Sequence, residues 1–431
     1  MSDTHARSVA YVRDSFVPER PAPATERGAV KWLRENLFAT VPNAILTLLT
    51  LWAIWGLASA VLPWIWNGVW EASSIRDCRQ TLGGRSGGCF AVLTERWNQL
   101  LFGFSYPSDA YWRPGLAFAL LFVCAAPVLF PDLPRKLLVL TLLYPFAAYW
   151  LVWGGTIVAP LAGLAALVAG WGIFRGLSGR GMGPALAGGL TAAALVWWVG
   201  GRLADAAPGV LALPAVESRN IGGFALNMIL GTVCVSLSLP FGIALALGRQ
   251  SRLPIIRAIC IGFIEFIRGV PLITLLFVAN VVLAYFLPPG TSFDLILRVI
   301  IMITMFASAY IAEVVRGGLA ALPRGQYEAA DALGLGYWKA MRLIILPQAL
   351  KISIPGIVNV AVGLFKDTTL VSIISMFDIV GMIRGPILAS TEWNGVYWEL
   401  YGFAALLFFV TCYGISQYSQ WLERRLATDF R

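Results

Sequence analysis

Charge is what this sequence has little of. Only 13% of its 431 residues are Asp, Glu, Lys or Arg, about half the share of an ordinary soluble domain. Histidine is almost missing, with one copy, His5, near the amino end. That removes the commonest acid–base side chain. No nucleophile–base arrangement replaces it, which argues against an enzyme. No cysteine or histidine cluster has metal-ligand spacing, so no metal or other cofactor is expected. The lysines follow Val30, Arg135, Trp338, Leu350 and Phe365, never a glycine. A phosphate-binding loop needs a Gly-Lys pair whose amine reaches the phosphates, so ATP is not hydrolysed by such a loop here.

Apolar residues are abundant, making up 58% of the chain. Runs of roughly 17–25 such residues recur, each long enough to cross a hydrocarbon core about 30 Å thick. At that depth a run satisfies its own backbone groups only as a helix or within a closed barrel. Barrel strands alternate apolar and polar residues, whereas these runs are apolar all round. The expected class is an all-α polytopic membrane protein of about ten spans: 42–66, 115–130, 137–153, 156–175, 184–200, 222–247, 270–287, 294–315, 353–375 and 403–420.

The formal net charge is +9. Nucleic acid is one reading of such an excess; the marking of cytoplasmic loops by arginine is the simpler one. With the amino terminus inside, inner segments hold 22 Lys and Arg, counting Arg175 at a span end, and outer segments hold 8. Arg298 and Lys366 remain within spans. Both termini are therefore expected in the cytoplasm. Residues 1–41 read as a basic tail without the apolar stretch of a signal peptide, and 422–431 as a second tail.

Cys78 and Cys89 fall in the long outer loop, residues 67–114. An oxidising periplasm favours a disulfide there, the alternative being two free thiols. Cys124, Cys234, Cys260 and Cys412 sit in or beside apolar runs, where cysteine is a small packing residue. The aromatic residues near span ends, Trp150 and Trp197 among them, read as interfacial belts.

Organisation changes near residue 220. Spans within 42–220 are rich in Ala, Gly, Leu and Trp and carry almost no charge, as packing and lipid-facing helices do. In 221–421 ionisable groups enter or flank the spans, and charge at membrane depth is kept where it lines a pathway or is paired. Glu265 and Arg268 share a helix face in the charged segment 254–269, which is too short to span and is expected along the cytoplasmic surface. They read as a salt bridge, or as a gating contact. Glu313 and Arg316 repeat the spacing at the entrance to the next inner loop. Lys366, Asp367 and Thr368 interrupt span nine. They read either as partners for a substrate's ammonium and carboxylate or as a self-neutralising pair near the cytoplasmic end of the helix.

The inner loop 316–351 reads RGGLAALPRGQYEAADALGLGYWKAMRLIILPQALK. Pro323 and Gly325 open a short helix, and Gly334 and Gly336 break it. Tyr337 to Leu346 form a second, which Pro347 helps to end. Glu328 and Asp331, three apart, share one face. Two short helices with a glycine elbow make a knob suited to a groove on another protein.

The spacing Glu328-Ala329-Ala330, Gly334, Ile344, Leu346-Pro347 resembles the signature loop of permeases in ATP-binding-cassette importers. The stretches FIEFIRGVPLITLLF (263–277), SAYIAEVVRGGL (308–319) and LFKDTTLVSII (364–374) are similar to the polar-amino-acid branch. This likeness covers roughly residues 221–425. The front half, with its CRQTLGGRSGGC loop, resembles one partner of the general L-amino-acid system and of the glutamate/glutamine/aspartate/asparagine system of proteobacteria. The resemblance implies a type I ABC-importer (MetI-like) core preceded by extra N-terminal transmembrane helices, in a bacterial inner membrane. It implies a knob that couples the core to a cytoplasmic ATPase dimer, a second permease subunit in a heterodimer, a periplasmic binding protein and an amino-acid cargo. An ATP-independent secondary transporter is the alternative. It would more often show broken helices in matched halves, and it leaves the knob unexplained.

Overall fold

The computed structural model describes residues 28–282 and 293–426. His5, most of the amino-terminal tail and half of the carboxyl-terminal tail lie outside the described residues, as does the end of the expected span 270–287. Among the described residues regular structure is helical, with no strand beyond isolated bridges. Among the described residues nine helical segments are long and apolar enough to cross a membrane, and a bent pair brings the number to as many as ten.

The helices are α1 (Gly28–Asn36), α2 (Val41–Trp66), α3 (Ile75–Leu82), α4 (Ala91–Glu95), α5 (Trp97–Phe102), α6 (Trp112–Leu129), α7 (Leu138–Trp153), α8 (Val158–Leu177) and α9 (Met182–Ala206). In the second half come α10 (Gly223–Arg249), α11 (Pro254–Gly269), α12 (Leu272–Phe277), α13 (Leu295–Ala320), α14 (Arg324–Ala332), α15 (Tyr337–Ala340), α16 (Leu346–Asp367), α17 (Ile379–Met382) and α18 (Tyr397–Leu426). The bent pair is α11 with α12 and its continuation to Asn280, which meet at 101°. Pro271 causes the break: it stands before Leu272 as the cap of α12 and has no N–H to carry α11's hydrogen bonding onward.

Packing divides the chain elsewhere than near residue 220. One compact unit is Met1–Gly68 with Arg85–Gly87, and the other is Val69–Gly84 with Gly88–Arg431. Within the first, Thr40 caps α2 by accepting a hydrogen bond from the Asn43 N–H, and Pro42 stands in the opening turn, where its missing N–H costs nothing. None of α2's side chains is buried.

Within the second unit, α8 lies along α9 at very short range. A side chain at Gly200 would meet the Ala162 methyl, so small residues are what let these backbones approach. Two cores form around α10 and α13. One gathers Leu226, Leu230, Leu276, Ile303, Leu364 and Val371, together with Tyr106, Leu151 and Val216 from the front half. The other gathers Ala246, Ile264, Val315, Leu319, Met341 and Ile345.

Within the same unit, residues 89–132 are fastened to both ends of α18. At one end, Cys78 and Cys89 are joined by a disulfide with Cα atoms 5.9 Å apart. The Cys89 N–H donates to Glu399 at 2.8 Å, and Arg96 pairs with Glu392 at 2.7 Å. Beside them the chain at Gly103 (φ +93°) runs so close to Gly222 that a Cβ would lie 2.9 Å from its Cα. At the other end, the Tyr418 hydroxyl donates to the Leu129 carbonyl at 2.6 Å, Arg425 pairs with Asp132, and Phe130 meets the rings of Tyr418 and Trp421.

The disulfide closes a loop with a sequence separation of 11. A cross-link of that length stabilises by about 2–3 kcal/mol. Reduction, or the pair Cys78→Ser and Cys89→Ser, is expected to speed proteolysis selectively between residues 70 and 106, read by mass spectrometry of the fragments. Unchanged cleavage there would show that the bond does not hold this segment.

Candidate coupling and gating site

The inner loop folds as two short helices around a glycine. Pro323 precedes α14. The αL residue Gly334 (φ +69°) ends it, with Gly334 N–H donating to Asp331 O at 2.9 Å and Leu335 N–H to Ala330 O at 3.1 Å. These bonds satisfy carbonyls that the helix end would leave open. The base of the knob is apolar and packed. Ala330, Met341 and Ile345 are buried, and Ile344 and Leu346 are half-buried beside them. Gln348 donates to Gln326 at 3.0 Å across the base. The tip is different. Leu333 is 74% exposed, Trp338 70% and Tyr337 50%, next to exposed Glu328, Ala329 and Asp331.

Pro347 does not end the second helix, contrary to the sequence expectation. Tyr337–Ile374 is one helical run of 38 residues. A π-helical stretch, Met341–Ile345, precedes α16, and Pro347 sits in α16's opening turn. The wider π turn relieves the clash that proline makes with the carbonyl four residues back. The knob is therefore continuous with α16.

Beside the knob's base, Glu313 is the common partner of three arginines. Arg316 Nε lies 2.9 Å from its Oε2, Arg249 Nη1 3.6 Å from Oε1 and Arg268 Nη1 3.8 Å from Oε2. Glu265 does not pair with Arg268, as its spacing suggested, but with Arg249 at 2.9 Å. Arg268 instead passes over the Tyr310 ring, 5.5 Å from its centroid, and reaches Glu313 from α11. Tertiary contacts thus override the i,i+3 pairing, which is worth only a few tenths of a kcal/mol. The cluster joins α10, α11 and α13 one to two turns before α13 ends at Ala320.

The group Lys366, Asp367 and Thr368 closes α16 at its far end, about 30 Å along the axis from Leu346 at 1.5 Å per residue. The group therefore lies at the end of α16 opposite the knob. Lys366 is exposed and Asp367 half-buried. Thr368 is fully buried, accepting from Asn227 Nδ2 at 2.9 Å and donating to Phe365 O at 2.7 Å.

Asn227 and Asp378 are the residues that sequence reasoning missed. Asn227 Nδ2 also reaches Asp378 Oδ2 at 3.2 Å, and its Oδ1 accepts from the Ile379 N–H at 3.2 Å. Asp378 caps α17, accepting from the N–H groups of Gly381 at 2.9 Å and Val380 at 3.3 Å. One amide therefore ties α10 to the end of α16 and the start of α17. A lone Asn in an apolar run and the Asp-Ile-Val-Gly cap were the available signals. Burial pushes the Asp378 carboxyl up to about 6, outweighing the hydrogen bonds from Gly381, Asn227 and Val380, which favour its charged form. No group of three potential metal ligands occurs among the described residues.

Residues 238–428 match the family described as binding-protein-dependent transport system inner membrane component. The glutamate/glutamine/aspartate/asparagine transport system permease protein BztC of Rhodobacter capsulatus is 53% identical across the whole of both chains. The inner membrane amino-acid ABC transporter permease protein YhdY of Escherichia coli is 38% identical over 95% of this chain and 96% of its own. The probable amino-acid ABC transporter permease protein YckA of Bacillus subtilis is 30% identical over 48% of this chain and 88% of its own. Among solved structures, an amino acid ABC transporter crystallised with histidines aligns with TM-score 0.42 and 30% identity, over 47% of this chain and 92% of that one.

Asp378 gives a pH dependence with a definite sign. Its folded pKa lies above the unfolded value of about 3.9, so its stabilising contribution is complete below about pH 4 and lost as pH rises through about 6. Between those limits the wild type is expected to lose about 2–3 kcal/mol relative to Asp378→Asn. Denaturant unfolding of both proteins in detergent across this range is the measurement; parallel curves would contradict it.

Proposed function

Because the chain belongs to the binding-protein-dependent transport system inner membrane component family, we propose that it is a membrane-spanning permease subunit of an ATP-driven importer for polar amino acids. The cargo class is taken from the full-length likeness to a glutamate/glutamine/aspartate/asparagine permease. In this reading both termini are cytoplasmic and the knob faces the cytoplasm. ATP is hydrolysed by a separate ATPase dimer, consistent with the missing Gly-Lys pair, and the chain itself is not catalytic. A second permease subunit of similar core completes the pathway, and a periplasmic binding protein delivers the amino acid.

One observation carries the coupling role: the knob has a buried base and a bare apolar tip. Leu333, Tyr337 and Trp338 are exposed on a segment held by Met341 and Ile345, the form of an anchor that fills a pocket on a partner. Glu328, Ala329, Asp331 and Gly334 shape that tip, Ala330 belongs to the buried base, and Ile344, Leu346 and Pro347 join it to α16. Closure of the ATPase dimer moves the knob, and α16 carries the motion to Lys366, Asp367 and Thr368, the groups assigned to the amino-acid pathway. Glu265, Arg268, Glu313 and Arg316 form the hinge cluster at the knob's root.

Reconstitution tests this. The chain with its permease, ATPase and binding-protein partners in vesicles is expected to take up labelled glutamate or glutamine only with ATP on the ATPase side. The chain alone is expected to take up none, and Lys366→Met in the full assembly to lose most of the uptake. Uptake by the chain alone, driven by a substrate gradient, would overturn the importer reading. Full uptake by Lys366→Met would remove that residue from the pathway.

A further inference from the structure

The helix α11 carries three separate faces, and the described residues engage only two of them. Ile264 and Ile267 are buried, with Cys260 and Phe263 half-buried beside them. Arg257, Glu265 and Arg268 lie on the charged side, where Glu265 and Arg268 enter the ion cluster. Ile255, Ile259 and Phe266 form a third face, at i, i+4 and i+11, and are 73%, 66% and 65% exposed. On a helical wheel these three residues fall within about 40° of each other, nearly opposite Arg257 at 100° per residue.

The surroundings identify what covers this stripe. The helix meets α12 at 101°, so it runs across the direction in which the chain goes on. It packs in the same core cluster as Leu319, Met341 and Ile345, which places it at the level of the knob. Five arginines, Arg249, Arg252, Arg257, Arg268 and Arg316, gather here with two glutamates, Glu265 and Glu313. Both glutamates are taken up by Arg249, Arg268 and Arg316. Arg252 and Arg257 are exposed and make no ion pair among the described residues. An apolar stripe beside surplus basic groups, on a helix lying crosswise, is the pattern of a helix in a lipid interface.

We propose that α11 lies in the leaflet on the knob side, with Ile255, Ile259 and Phe266 among the acyl chains and Arg252 and Arg257 on anionic phospholipid headgroups. The arginine stems lie along the apolar boundary while their guanidinium groups stay at headgroup level. Through Glu265 and Arg268 this helix also touches the ion cluster at the root of the knob. The composition of that leaflet thus bears directly on the hinge. The proposal rests on the chain spanning a membrane, but its readout is lipid contact rather than transport, so it can fail while the importer reading stands.

A photo-crosslinking amino acid at Ile259, and separately at Phe266, tests it in the assembled transporter in vesicles of phosphatidylcholine and phosphatidylglycerol. The expected product on irradiation is a phospholipid adduct of this chain, enriched in phosphatidylglycerol over its share of the bilayer. Each of Arg252→Gln and Arg257→Gln is expected to lower that enrichment about fivefold, and raised salt to do the same. A cross-link from both positions to another subunit would assign the stripe to a protein interface and overturn the proposal. A lipid adduct that ignores headgroup charge would overturn the role of the two arginines.

Discussion

Inside a bilayer a polar group has no water to fall back on, and the organisation of this chain reflects that constraint throughout. It forces the backbone into helices and favours polar side chains at depth that find partners. Asn227 answers it by serving Thr368, Asp378 and the Ile379 N–H at once. Glu313 answers it by serving three arginines. These two residues sit toward opposite ends of the α10–α13–α16 group. At both, the second half is joined by direction-specific contacts and not by apolar packing alone.

In the proposed coupling, the knob passes force inward because it is continuous with a long helix. The helical run Tyr337–Ile374 is unbroken over 38 residues, about 55 Å at 1.5 Å per residue. It reaches from the tip, past the ion cluster, to Thr368 in the Asn227 network. A push on the tip is therefore delivered to a stiff rod and not dissipated in a loop. The run has a π-helical stretch at Met341–Ile345, at the root of the knob, and a 3-10 stretch at Thr368–Ile374, at its far end. Residues 89–129 of the same unit are joined to α18 and the chain just before it, through Arg96–Glu392 and Cys89–Glu399 at one end and Leu129–Tyr418 at the other.

Much of this was legible in the residues because it is local. Apolar run length gives the spans, and the EAA-to-Pro347 spacing gives the knob. Proline at 271 gives the break after α11. The features that could not be read depend on contacts between distant positions. Glu265 lies three residues from Arg268 yet pairs with Arg249, because helix packing brings that arginine closer. Pro347 looks like a stop but is absorbed by a π turn. Arg96 and Glu392 stand nearly three hundred positions apart, and no periodicity connects them. Asn227 looked like one polar residue in an apolar run, and its weight appears only when Thr368 and Asp378 arrive beside it.

If force enters through the bare tip of the knob while the base keeps the fold, a charge on the tip must disable coupling and nothing else. Leu333→Glu places that charge at a side chain 74% exposed, without touching the packed base. The deciding measurement is ATP-driven amino-acid uptake by the reconstituted assembly, alongside co-purification of the ATPase subunit with this chain. Coupling through the tip predicts a variant of normal abundance and stability that no longer retains the ATPase and transports nothing. Normal retention of the ATPase with full ATP-driven uptake would contradict it.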